Sequence, residues 1–232
     1  MYKNKRILWI LIALLIIIAG IFIFKPDLFS AGKDDVKPST SNTSKPAVKT
    51  EKPFIYLYPS ENTTVSVKLA LKGEMTYSYP KYKDGWIVTA NPDGILWDED
   101  HNVYTGLYWE GNLGDYEIKN GFTVHRNDVE VFLFEKLGIL GLNQFEINDF
   151  MDYWGDRLRR YEYSNISFLG EEYTDRAKII ADPVPETTIR VFMVFKEGSK
   201  NSKLKPQELK PAVRKGFTLV EWGGAEIKDN LN

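Results

Sequence analysis

The sequence predicts an α+β protein: an antiparallel β-sheet or sandwich with a packed two-helix hairpin, preceded by one transmembrane helix. Three observations predict it. "TVSVKLAL" alternates apolar and polar residues, the mark of a half-buried strand. Between Asn127 and Tyr161 the apolar period changes to that of a helix. From Ile7 to Phe24 the chain reads "ILWILIALLIIIAGIFIF", without one charge.

The apolar run comes first in the chain. Eighteen residues rise roughly 27 Å as a helix, close to the ~30 Å hydrocarbon thickness, and Arg6 and Lys25 can snorkel to the two interfaces. It is longer than the core of a cleaved signal peptide, so it reads as a retained anchor. Lys3, Lys5 and Arg6 precede it and only Lys25 closely follows, which places residues 1–6 in the cytoplasm and the rest outside. Residues 25–52, rich in Pro, Ser, Thr and Lys, cannot bury enough apolar surface to offset ordering entropy and read as a flexible linker.

Residues 53–227 read as one extracytoplasmic domain, with 228–232 as a tail. "FIYLYP", "TVSVKLAL", "DGWIVTA", "GILWD", "VYTGLYWE" and "GFTV" form a first run of strands. A helix then starts at Asn127 with Glu130 as a capping box, its stripe being Val129, Phe132, Leu133 and Leu137, and Gly138 or Gly141 stops it. A second starts at Asn143 with Glu146, burying Ile147, Phe150, Met151, Trp154, Leu158 and Tyr161. Strands return as "AKIIAD", "TIRVFMVF" and "GFTLVEW", the last two separated by a polar surface excursion.

Composition excludes several functions. There are no cysteines, hence no disulfide framework, thiolate metal site or cysteine nucleophile. Without Lys3, Lys5, Arg6 and Lys25 the 30 basic residues fall to 26 against 32 acids, a net of −6, which gives no basic face for nucleic acid. His101 and His125 are the only histidines, and no zinc, nucleophile-elbow or phosphate-loop motif appears, so no metal or cofactor is expected. "WDEDHN" carries Asp98, Asp100 and Asn102 at the spacing that opens a calcium loop. It lacks the glycine and the bidentate glutamate further on and reads as a polar turn.

"YWEG" and "VEWGG" place Glu110 and Glu221 beside tryptophans. Alternation puts Glu110 on the face of Tyr108, and Glu221 on that of Phe217 and Leu219. Two desolvated carboxylates suit a glycosidase pair. The reading that prevails is structural: one of the two glutamates serves Arg190, which shares a face with Phe192 and Val194 and needs a carboxylate, with Lys215 as a second candidate base. Tyr77, Tyr79, Tyr82 and Trp86 cluster in "YSYPKYKDGW", a turn-rich stretch that reads equally as an aromatic binding surface or as core, the alternation in "TYSY" burying two of them on the second reading.

The blocks "IYLYP", "GWIVTANPDG", "YWEG", "RVFMVF" and "KGFTLVEWGG" resemble those of a family of uncharacterised bacterial membrane-anchored or secreted proteins, over Lys52 to about Ile227. That resemblance implies kinship and carries no activity. The functional expectation is a single-pass protein, held in the membrane through residues 7–24, that binds or scaffolds at the cell envelope, with a glycan or protein as partner. The alternative is a cell-wall hydrolase using the paired glutamates.

Overall fold

The structure, a computed structural model, describes residues 48–228. The stub 1–6, the expected transmembrane helix over 7–24, most of the linker and all but the first residue of the tail lie outside the described residues. Among the described residues, no helix is long and apolar enough to cross a membrane.

Twelve strands are described: β1 (Lys49–Tyr58), β2 (Thr63–Leu71), β3 (Glu74–Tyr79), β4 (Trp86–Ala90), β5 (Leu96–Trp97), β6 (Val103–Tyr104), β7 (Leu107–Asn112), β8 (Phe122–His125), β9 (Tyr163–Leu169), β10 (Ala177–Asp182), β11 (Thr187–Glu197) and β12 (Thr218–Glu226). Three helices accompany them: α1 (Val129–Ile139), α2 (Gln144–Arg159) and the short α3 (Glu171–Thr174). Strand makes up 44% of the described residues and helix 19%. The expected α+β class is therefore corrected: the protein is mostly β, with two sheets. A seven-stranded sheet runs β3-β7-β1-β12-β11-β9-β8, and a five-stranded sheet runs β10-β2-β4-β5-β6.

Packing explains the error. Ile55, Leu57, Trp109, Phe192 and Leu219 of the larger sheet meet Val65, Val67, Trp86 and Val88 of the smaller in one core. On its other face Tyr56, Val191, Met193, Val220 and Trp222 meet Leu133, Phe150, Trp154 and Leu158 of the helical hairpin. The central strands are thus buried on both faces, which erases alternation and leaves apolar runs such as "RVFMVF". Strong helical periodicity gave one covering layer the weight of half the fold.

Four details also depart from expectation. β11 and β12 are parallel, so residues 198–217 form the crossover that a parallel pair requires. Arg214 pins that crossover to the hairpin by donating to Gly141 O at 2.9 and 3.1 Å and pairing with buried Glu146. "VYTGLYWE" divides between the two sheets as β6 and β7, and β9 forms over a stretch where the sequence predicts no element. β1 begins at Lys49, before the expected boundary, because Thr50 is buried and its hydroxyl bonds to Tyr116 Oη at 2.7 Å.

The second helix starts on the expected capping box of Asn143 and Glu146. The first does not use Asn127 and Glu130: a 3₁₀ turn over Arg126–Asp128 leads into it, capped by the His125 ring accepting from Asn127 N at 3.3 Å.

Candidate functional site

Glu221 lies in the core between the two sheets, fully buried. It sits directly opposite Arg190 on the neighbouring parallel strand. Arg190 Nε and Nη2 donate to Glu221 Oε2 at 2.8 and 2.6 Å, Tyr173 Oη donates to the same oxygen at 3.1 Å, and Trp109 Nε1 donates to Oε1 at 3.2 Å. Arg190 Nη1 donates to Ala177 O at 2.6 Å. Every polar atom there is engaged inside the fold, as a structural ion pair requires.

Glu110 is elsewhere. Along β7, Leu107, Trp109 and Gly111 are buried while Tyr108, Glu110 and Asn112 point the other way. Since Trp109 reaches Glu221, Glu110 lies on the opposite face of the larger sheet, where it takes the Tyr108 hydroxyl and pairs with Lys49. One substrate cannot meet two carboxylates with a sheet between them, so the paired-glutamate arrangement is not formed. Lys215 partners neither: it is exposed, and the chain turns at Gly216 (φ 53°) before β12 begins.

The face that carries Glu110 holds a cleft that the sequence did not announce. Its cavity of about 320 Å³ is lined by Lys52, Phe54, Thr105, Asp149, Asp152, Tyr153 and Trp222. The β1 side is made by a bulge: pairing shifts register between Glu51 and Phe54 against β12, and between Thr50 and Phe54 against β7. Pro53 has no N–H for either ladder, which favours the break. Lys52 takes φ 57°, a left-handed conformation costly for a side-chain-bearing residue and concentrated at functional sites. Its ammonium lies over three rings, Tyr108 at 4.4 Å, Phe54 at 5.3 Å and Tyr153 at 5.6 Å.

The opposite wall is α2, whose Asp149, Asp152 and Tyr153 fall at i, i+3 and i+4 on one face. Asp149 is oriented from below: Tyr56 Oη donates to its Oδ2 at 2.7 Å, and Trp222 Nε1 donates to Tyr56 Oη at 3.1 Å. No ion pair among the described residues includes Lys52 or Asp152. Burial pulls the Lys52 amine below its ordinary 10.5, with Asp149 and Glu110 opposing that shift through space. The cleft thus offers an unpaired cation, two acceptors and apolar rings, a set that can hold a small polar ligand with one apolar face.

The four aromatic residues of "YSYPKYKDGW" divide. Trp86 is buried and donates to Pro80 O at 2.8 Å, and Tyr82 stacks edge-on to it and accepts from Leu69 N at 3.0 Å. Tyr77 and Tyr79 are 51% and 57% exposed. A register shift between Met75 and Tyr77 turns these two onto the Glu110 face, which alternation alone cannot show. In "WDEDHN", Asp98 accepts from the backbone N–H of Asp100 and Asn102 at 3.0 and 2.9 Å and from Tyr104 Oη at 2.8 Å, closing a tight turn.

Buried tyrosines surround both sites, and they set a pH limit. Burial, reinforced by neighbouring carboxylates, raises Tyr56 and Tyr173 well above 10.0, and burial pushes Tyr116 up to about 12. Folding that keeps a phenol neutral contributes stability fully present below pH 10, lost as pH rises from there toward the raised value. Up to ~1.4 kcal/mol per pH unit is expected for each such ring. Thermal melting followed from pH 8 to 11 should show a steep decline beginning near pH 10. A flat stability curve across that range contradicts it.

No protein-family model matches the chain, and no solved structure matches it. Over 64 residues it is 44% identical to an uncharacterized protein in the bglA 3' region of Butyrivibrio fibrisolvens, a stretch amounting to 26% of this chain. The chain spans 66% of that protein's length.

Proposed function

We propose that the chain is a membrane-tethered binding protein that displays its β domain outside the cell and holds a small polar ligand in the Lys52–Asp149–Asp152 cleft. The tether rests on the uncharged run of Ile7 to Phe24 and on the three bases before it. The binding reading rests on one observation: a half-buried ammonium on a strained backbone faces a carboxylate wall across an open cavity without an ion-pair partner among the described residues. The three rings offset part of the desolvation, but among the described residues no carboxylate closes on the ammonium, so its placement suits a cation held for a ligand. A scaffolding role at the envelope is compatible with the same tether.

The test is equilibrium dialysis of the full-length chain in detergent against the low-molecular-mass fraction of a host-cell extract, with mass spectrometry of what is retained. The wild type should retain a compound that Lys52→Met and Asp152→Asn each weaken at least tenfold, or about 1.4 kcal/mol. Retention should also fall as pH rises through the depressed value of Lys52, below the ordinary 10.5. Equal retention by wild type and both variants sinks the cleft as the binding site. Resistance of the domain to protease added outside intact cells sinks the topology.

A further inference from the structure

The cleft is one end of a longer aromatic row. Across four adjacent strands Tyr79 faces Tyr108, Tyr108 faces Phe54, and Phe54 faces Trp222. Phe54 and Trp222 stack at 5.9 Å with 16° between planes, and Tyr77 reaches the Tyr108 ring at 5.4 Å. The row spans three strand spacings, roughly 14 Å. It descends as it goes: Tyr77 and Tyr79 stand on the exposed edge strand β3, while Trp222, 1% exposed, forms the floor of the cavity.

From this, and resting on the reading of the cleft as a binding site, we propose that the ligand is a linear oligosaccharide built of neutral or amino sugars. One terminal ring sits in the cleft, and the following rings lie along Tyr108, Tyr77 and Tyr79. Sugar rings present an apolar face of C–H groups and an equatorial belt of hydroxyls. Tyrosine rings at successive strand positions match the first. Lys52, Thr105, Asp149 and Asp152 supply donors and acceptors for the second. Charge selects among glycans. Glu51, Glu110, Asp149 and Asp152 stand against Lys49, Lys52 and Arg157 around the row, an excess of one negative charge that disfavours uronic acids and phosphorylated polymers. A chain longer than one ring is required because a monosaccharide filling the cavity leaves the tyrosine edge unused.

The probes are β-1,4-linked oligomers of glucose and of N-acetylglucosamine, monomer through hexamer. They are titrated into the full-length chain in a detergent with no sugar headgroup and followed by calorimetry and tryptophan fluorescence. Affinity in at least one series should rise tenfold or more from monomer to tetramer and then level off. In the Tyr77→Ala/Tyr79→Ala protein that rise should vanish, the tetramer binding no better than the monomer. Both side chains are exposed, so an unchanged melting temperature separates lost contact from lost fold. Lys52→Met should weaken every length. Monomer binding with no dependence on length overturns the extended row and leaves the cleft standing. No binding of any oligomer in either series overturns the glycan assignment, whatever compound dialysis recovers.

Discussion

Arg190→Met is expected to destabilise the protein by about 3–5 kcal/mol, the usual consequence of removing one partner from a buried pair. Glu221 is fully buried and the Arg190 side chain 9% exposed. Without the guanidinium, Glu221 keeps only the Trp109 and Tyr173 donors and cannot stay ionised cheaply. The loss extends beyond the charge. Arg190 stacks over the Tyr173 ring at 4.8 Å, that ring stacks on Phe192 at 3.9 Å, and Arg190 also satisfies Ala177 O on β10 of the smaller sheet. One side chain thus joins the two sheets. Adding Glu221→Gln to Arg190→Met should recover part of the loss, because an amide removes the stranded charge, its oxygen can still accept from Trp109 and its NH2 can donate to the Tyr173 hydroxyl oxygen. Glu221→Leu should recover less, leaving both donors unpaired at about 1–3 kcal/mol each. Denaturant titration of the two single and two double variants measures the coupling. A cost below about 1 kcal/mol for Arg190→Met contradicts the structural assignment.

That pair was legible in the sequence because a charge on an otherwise apolar strand face needs an opposite charge, a local deduction. Which glutamate answers was not legible. The choice depends on β11 and β12 lying side by side and parallel, and parallel pairing leaves no short-range turn signal. The cleft was less legible still. Its lysine, helix carboxylates and tryptophan lie at Lys52, Asp149, Asp152 and Trp222, gathered only by the sheet order. Two signals were nonetheless present. Lys-Pro before an apolar run hints at a broken ladder, and acids at i and i+3 beside a tyrosine mark a polar helix stripe that invites a partner. The bulge that turns Tyr77 and Tyr79 outward left no mark, since one inserted residue reverses faces without changing composition.

Trp222→Ala should be the most damaging change that touches both stability and the cleft. A truncated buried tryptophan costs about 3–5 kcal/mol through lost transfer energy and the cavity left behind. Here the ring packs against Phe54 on one side and Phe150 of α2 on the other, at 5.9 and 5.4 Å, so the hairpin loses its seat on the sheet. Trp222→Phe separates packing from hydrogen bonding. It keeps most of the apolar contact but removes the Nε1–H that Tyr56 accepts, a loss of about 1–2 kcal/mol. Tyr56 then holds Asp149 with one support fewer. If the relay orients Asp149 for a ligand, Trp222→Phe should weaken binding in the cleft beyond what its small change in melting temperature explains, and Tyr56→Phe should reproduce that effect from the next position along. Chemical denaturation gives the first quantity and dialysis the second. Trp222→Phe and Tyr56→Phe acting on stability alone, with ligand retention intact, would confine the relay to packing and leave Asp152 and Lys52 as the groups that hold the ligand.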